Sequence, residues 1–482
     1  MAGSVAGSPG AEAGVAAIES HSIDYVPESE RHGKVWQQGP FWFLGNFQPF
    51  TITIGFIGPA IGLSVFQTII AGALGIAFGT LFMAFHATQG PHLGLPQMIQ
   101  SRAQLGYRGV IVALFGSWVT FMLFNVVDVI ILQSGINGIF GIDPMLIAIG
   151  TTVVGAGLAI YGHDLLHRSF RLLFYVSLPF YAILTVAIVA GAVPSTPVAP
   201  VEGGIAALLA MFTAAAAYNI TYAPYVSDYS RYLPRSTRTV PIVVSVFFGA
   251  AGSAVWLIAL GAWLATATGA TDALVGLQGA GDAVFNGLGV LLAVLAVLAL
   301  VATMGINSYS AMLSTLTAVD SVRSFKPTRT VRVVTIVVLA VLWAVAAVAL
   351  GGNAVTDLFN ALIVMLYLIV PWTALNLVDY FFVRRGRYAI LDLFTPSGIY
   401  GAWGKRGLAA YVIGLLSMSP FLVIPGWVKG PAVDALGGAD ISAIVGLAVS
   451  AVAYFLLTRS LDLAAETPAI EASERTIAET RA

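Results

Sequence analysis

The sequence predicts an all-α integral membrane protein of twelve transmembrane helices, and three observations carry that prediction. Only 9% of the 482 residues are charged and 58% are hydrophobic, against roughly 25% charged in an ordinary soluble protein. That leaves too little polar surface to coat even one or two soluble domains of this length. Beyond residue 36, apolar stretches long enough to cross a hydrocarbon core of ~30 Å as a helix recur twelve times. Of the 22 Lys and Arg residues, all but Lys429 fall on one side of the topology those spans define, the side that the positive-inside rule makes cytoplasmic. One missed or invented span would scramble that split, and an even number of spans places both termini on the same, cytoplasmic, side. The apolar runs do not alternate with polar residues, which excludes a β-barrel.

Taken in order, residues 1–36 are small and polar and lack a basic run leading into a short apolar core. They read as a cytoplasmic tail, disordered at its start, and not as a signal peptide. The membrane domain, 37–457, holds spans at 40–64, 67–87, 110–136, 145–162, 170–193, 204–226, 239–266, 285–316, 331–351, 356–382, 408–426 and 438–457, and an acidic cytoplasmic tail follows over 458–482. A net charge of -1 rules out a basic nucleic-acid binder, and the absence of cysteine removes disulfides, thiolate metal sites and cysteine nucleophiles. Enzyme signals are weak. His163 and His167 are four residues apart but lack the glutamate of a metalloprotease helix, and the six histidines, at loops and span ends, read as solvated. No P-loop, nucleophile elbow or dinucleotide fingerprint occurs, so neither catalysis nor ATP-driven transport is expected.

A membrane helix gives up its hydrogen-bond ladder only where the freed backbone faces protein or a watery cavity. Two spans carry clustered breakers. Span 1 reads FWFLGNFQPF, with Gly45, Asn46, Gln48 and Pro49 together and Gly55, Gly58 and Pro59 beyond; span 6 reads AYNITYAPYVSDYSRYLP, with Asn219, Thr221 and Pro224 among Tyr218, Tyr222 and Tyr225. They stand five spans apart, and an odd number reverses a second copy in the membrane. The pattern therefore fits two inverted repeats, 37–193 and 204–382, with 408–457 supplying spans 11 and 12.

Polar side chains at membrane depth narrow the site. Asp128, past the centre of span 3, is the only carboxylate well inside an apolar run. An unpaired Asp there costs roughly 2.5 to 3.5 kcal/mol on insertion scales, so it is expected to face a cavity or a partner. It is a candidate to carry a coupling proton or to accept hydrogen bonds from a substrate; a structural carboxylate bonded to a neighbouring Asn is the alternative. Asn125 lies about one turn earlier beside Phe121 and Phe124. In span 8, Asn307, Ser308, Tyr309 and Ser310 interrupt a Val/Leu/Ala helix, to serve a ligand or to bond helix to helix. Span 10 offers Asn360, and Asp379 and Arg384 at its cytoplasmic end are expected to form a latch.

Four strings, IDYVPESERHGKVWQQGPFWFLGNF, TQGPHLGLPQMIQSRAQLGYRG, ITYAPYVSDYSRYLP and DYFFVRRGRYAILDLFTPSGIYGAW, occur in that order and resemble the nucleobase-cation symporter-1 family, its purine-cytosine permease branch above all. The resemblance runs from about residue 23 to about residue 457. It implies a LeuT-type fold, five helices plus five inverted with helices 1 and 6 broken and two more after them, and uptake of a planar nucleobase coupled to protons or sodium. Carried over residue by residue, it implies a substrate site of Gln48 with Gly45 and Asn46, Phe124 and Asp128, Tyr222 and Ala223, Asn307 and Asn360. Phe124 and Asp128 replace the family's usual Trp and amide. Two aromatics sandwiching a flat base, with amides along its edge, is a physically sensible receptor. Sodium-dependent members use two adjacent hydroxyls in helix 8, where this chain has Gly305 and Ile306, so the proton is the favoured coupling ion, with Asp128 its carrier, and sodium stays open. The expected protein is thus a plasma-membrane importer of a purine base or cytosine, without cofactor or metal, whose partners are its substrate and the bilayer, with no obligate protein partner evident. Importers of uracil, allantoin, hydantoin or thiamine, and a non-transporting sensor, are the alternatives; the shortness of both tails counts against the sensor.

Overall fold

The computed structural model describes residues 22–196, 203–325, 327–350 and 354–479; most of the expected N-terminal tail, with His21, and also Lys326 and Arg481 lie outside the described residues. Among the described residues, nine helices are long and apolar enough to cross a membrane. They are Val65–Leu93, Ile111–Phe140, Pro144–Tyr161, His163–Val189, Ile205–Ser230, Thr239–Ala267, Leu288–Val322, Arg329–Leu350 and Thr356–Val383, in the positions expected of spans 2 to 10. The three remaining spans coincide with shorter helices. Span 1 is a pair, Gln38–Asn46 and Pro49–Ala60; span 11 is Lys405–Met418 and span 12 Ser442–Thr458.

Local chemistry sets several of these limits. Ser64 and Gln67 form a reciprocal cap at the start of span 2, with Gln67 N–H to Ser64 Oγ at 3.2 Å and Ser64 N–H to Gln67 Oε1 at 2.9 Å. Span 3 stops at Gly141, whose φ of 67° is open to glycine and costly for other residues. Asp143 then caps span 4 by accepting from Met145 N–H at 2.9 Å, with Pro144 in the first helical position.

Packing divides the bundle in two. Spans 1, 2, 6 and 7 contact one another, and spans 3, 4, 8 and 9 form a second group, with span 10 touching both. Spans 1 and 6, 2 and 7, 3 and 8, and 4 and 9 therefore fall pairwise in the same group, the arrangement expected of two inverted repeats. Glycines make the first group close: a Cβ on Gly79 would lie 2.3 Å from Ala216 O of span 6, and one on Gly261 would lie 2.0 Å from Ile52 O of span 1.

Several elements differ from expectation. Span 5 begins at His163, seven positions before 170, and short helices such as Gln89–Leu93 and Ala273–Asp282 occupy stretches read as loops. His86 and His163 are buried and not solvated. His86 stacks on Trp372 at 4.8 Å and His167 on Phe41 at 4.1 Å, so ring packing has replaced hydration. Within the C-terminal tail, Thr467–Glu479 form a helix that buries Ile470 and Ser473. Asp379 and Arg384 do form a latch, at 2.7 Å.

Candidate functional site

The breaks in spans 1 and 6 lie side by side and define the centre of the molecule. In span 1 the first helix ends at Asn46, Phe47 turns to φ -94°, ψ 64°, and Gln48 is extended before Pro49 restarts the helix. Gln48 stabilises its own break: its Oε1 accepts from Phe50 N–H at 2.6 Å and its Nε2 donates to Tyr218 Oη at 2.9 Å. In span 6 the helix ends at Ile220, a 3-10 turn Ala223–Tyr225 contains Pro224, and Val226–Ser230 resumes the helix. Pro224 has no N–H to continue the ladder. The breaks bond to each other, since Asn46 Nδ2 donates to Asn219 Oδ1 at 2.8 Å and Tyr222 Oη donates to Gly45 O at 3.1 Å. Asn219 in turn donates to Thr80 Oγ1 at 2.6 Å, which brings span 2 into the same network.

Around these breaks the aromatics form a box. Phe124 of span 3 stacks on Tyr222 with centroids 5.5 Å apart and planes at 19°, and Phe50 stacks on Tyr218 at 5.2 Å and 16°. Edge contacts join the two stacks, Phe50 to Phe124 and Tyr218 to Tyr222, each at 5.4 Å, and Phe121 meets Tyr225 edge-on beside them at 4.9 Å. Tyr218 Oη is the polar hub, within bonding distance of Thr51 Oγ1 at 2.8 Å and Tyr222 Oη at 3.3 Å.

One edge of the box is polar. Tyr225 Oη donates to Asn307 Oδ1 at 3.2 Å, and Asn307 Nδ2 donates to Asn125 Oδ1 at 3.1 Å and to Asp128 Oδ2 at 3.5 Å. Asn125 Nδ2 donates to Ser308 Oγ at 3.1 Å. Asp128 is 1% exposed, and among the described residues no Lys, Arg or His pairs with it. At 3.5 Å its bond from Asn307 is at the limit of what counts as one.

The structure therefore brings together Gly45, Asn46, Gln48, Phe124, Asp128, Tyr222 and Asn307, with Ala223 fully buried in the adjoining turn. Asn360 stands apart. It lines a cavity of about 310 Å³ with Ile57, Ile61, Thr213 and Asp440, beside the strands Val423–Ile424 and Val428–Lys429 and so toward the Lys429 face. Toward the opposite, basic, face the N-terminal segment lies across the bundle: Arg31 donates to Pro91 O at 2.6 Å and Arg231 to Ser22 O at 2.8 Å. Phe50 and Thr51 belong to the box although nothing in the sequence marks them beyond following Gln48. Tyr218, Asn125 and Asn219 stood out as polar or aromatic residues in their spans, but their partners lie 139 to 183 positions away and are invisible to local pattern.

The surroundings of Gly305 and Ile306 are occupied by the protein itself. A Cβ on Gly305 would meet Leu166 Cδ2 at 2.9 Å and Leu158 Cβ at 3.1 Å, and the Ile306 carbonyl already accepts from Tyr229 Oη at 2.9 Å.

Residues 25–446 match the family described as permease for cytosine/purines, uracil, thiamine, allantoin. Over 443 residues the chain is 34% identical to the putative purine-cytosine permease YxlA of Bacillus subtilis (strain 168), covering 92% of this chain and 96% of that one. Its fold resembles that of Mhp1, a nucleobase-cation-symport-1 family transporter, in a closed conformation with bromovinylhydantoin bound: the TM-score is 0.72 at 17% identity, over 94% of this chain and 100% of the other. With the inward-facing conformation of Mhp1 the TM-score is 0.64 at 18% identity, over 95% and 96% of the two chains.

Proposed function

The chain belongs to the family of permeases for cytosine/purines, uracil, thiamine and allantoin, membrane transporters and not enzymes, and on that premise we propose that it imports a purine base or cytosine together with a proton by alternating access. The observation that carries this reading is the parallel stack of Phe124 on Tyr222 beside the amide and carboxylate edge of Asn125, Asp128 and Asn307. A flat heterocycle presents two π-faces and an edge of mixed donors and acceptors, and this box offers the complement of both. Base-aromatic stacking contributes roughly 1 to 3 kcal/mol and is blind to which base is stacked, so selectivity resides in the edge.

On this reading substrate enters by the cavity at Asn360 on the Lys429 face, while on the opposite face Arg31 and Arg231 hold the segment from Ser22 to Arg31 across the bundle. With the basic face in the cytoplasm, that direction is import. Proton coupling draws support from two places. Asp128 has no cationic partner among the described residues, so protonation leaves no ion pair broken; and at Gly305 the space a hydroxyl would need is filled by Leu166 and Leu158. A hard cation such as sodium requires about six oxygens.

A carboxylate at the edge also suits a ring with an additional donor or a positive charge, which keeps thiamine and allantoin as the second reading. The test is uptake by the purified protein in proteoliposomes, with labelled cytosine, adenine, hypoxanthine, uracil and allantoin, under a proton or a sodium gradient imposed separately. Accumulation of a purine or cytosine under the proton gradient alone is expected. Sodium-driven accumulation would overturn the coupling assignment, and accumulation of uracil or allantoin alone would overturn the substrate assignment.

A further inference from the structure

Where spans 10 and 12 end on the basic face, their last turns and the start of the C-terminal segment enclose a cavity of about 410 Å³, remote in structure from the aromatic box. Its walls divide by chemistry. One is apolar and open to the outside of the bundle, with Phe382 66% and Phe455 42% exposed. The other is made of guanidinium groups, those of Arg384, Arg385, Arg387 and Arg459. Arg384 is already neutralised, 2.7 Å from Asp379 and 2.8 Å from Glu466. Arg385, Arg387 and Arg459 are exposed and, among the described residues, have no acidic partner.

Two details argue that these arginines are placed and not merely scattered by the charge bias of a basic face. Arg459 lies over the Phe455 ring at 5.3 Å, which holds its charge against the apolar wall. Arg385 has φ 52° and is, among the described residues, the one non-glycine residue at positive φ. A Cβ in that conformation is crowded by its own backbone, and such strain persists where the surrounding structure enforces it, often at a binding site. Depth fits as well. Arg385 follows Val383, the last residue of span 10, by two positions, and Arg459 directly follows Thr458, the last of span 12, so both lie where apolar helix gives way to the headgroup layer.

We propose that this cavity binds the phosphate of an anionic membrane phospholipid, with the acyl chains laid along Phe382 and Phe455. Guanidinium forks match phosphate oxygens two at a time, and basic pockets between membrane helices on the cytoplasmic side are suited to such headgroups. The apolar wall is what favours a lipid over free phosphate.

The test uses the full-length protein purified in a neutral detergent, incubated with equimolar phosphatidylglycerol and phosphatidylcholine, and examined by native mass spectrometry. Preferential retention of phosphatidylglycerol, undisturbed by excess inorganic phosphate, is expected. Arg385→Gln with Arg459→Gln should weaken that retention about tenfold or more, at about 1 kcal/mol per basic residue at the membrane surface. Arg323→Gln with Lys405→Gln, which removes equal charge from the same face outside the cavity, should leave it unchanged. Equal loss in both double variants would mean general surface attraction and overturn the site; displacement by inorganic phosphate would overturn the lipid. Arg387→Gln, at a residue with ordinary backbone, provides the reading if the first variant does not yield a monodisperse protein, and retention at the wild-type level there would also overturn the proposal.

Discussion

At the scale of single residues, Asp128 is defined by how little it is given. A buried carboxylate ordinarily collects several donors, as Asp379 does from Arg384, Gln104, Tyr388 and Tyr454 at 2.7 to 2.9 Å. Among the described residues Asp128 has one amide, that of Asn307, at 3.5 Å. A carboxylate so thinly provided is free to bond something that arrives, whether a proton or the edge of a ring. Asp128→Asn keeps the shape and an acceptor oxygen but removes the titration. Under a gradient of one pH unit it should lower accumulation about tenfold, the ratio that one coupled proton sustains, while exchange of labelled for unlabelled substrate at equal pH continues. Counterflow and gradient-driven uptake measured on the same proteoliposomes separate the two; loss of both would make Asp128 a binding residue only. Asp128 was legible in the sequence as a lone carboxylate in an apolar run, and Gln48 and Asn307 as members of polar clusters that interrupt one. Phe50 and Thr51 were not, because a Phe or a Thr in a membrane helix is unremarkable until its neighbour across the bundle is known.

At the scale of elements, the end of span 10 is a clasp. Asp379 joins it to span 12 through Tyr454, to the stretch after span 2 through Gln104, and through Arg384 to Glu466 at the start of the C-terminal segment. Asp379→Ala would leave the Arg384 charge buried with half of its compensation, so a loss of about 3 to 5 kcal/mol is expected, read as a fall in the thermal unfolding midpoint. The sequence suggested the Asp379–Arg384 pair from spacing alone, whereas Glu466, 82 positions from Arg384, read as part of an acidic tail. A second, exposed contact lies at the N-terminal segment, where the Asp164 carboxylate stands 3.6 Å from the His32 ring and raises it from the ordinary 6.5 to about 9. A raised value in the folded state means the contact contributes fully below about pH 6.5 and is lost as pH climbs through 9. NMR titration of His32 should give a midpoint near 9 that falls toward 6.5 in Asp164→Asn.

At the scale of the whole molecule, the order and placing of the nine long helices were readable because a bilayer imposes one length on every crossing. The grouping of spans 1, 2, 6 and 7 against 3, 4, 8 and 9 was not, since it depends on backbone approaches such as Gly79 to Ala216 that no window of sequence displays. The absence of cysteine makes the two mouths directly testable. In vesicles of uniform orientation, Asn360→Cys should react with an impermeant thiol reagent from the Lys429 face and Trp36→Cys, at a residue 50% exposed, from the other; added substrate should slow the first as the bundle closes over it. Reaction of both from one side would refute the topology. The stack of Phe124 on Tyr222 finally makes the arrival of substrate an exchange. A base that enters between those rings gains two faces and ends the contact the rings had with each other, so part of what stacking gives is returned. Net affinity then rests on the atoms around the ring's rim. Among bases of equal size, affinity should rank with the number of rim donors and acceptors that Asn125, Asp128 and Asn307 answer, and scarcely at all with the area of the ring.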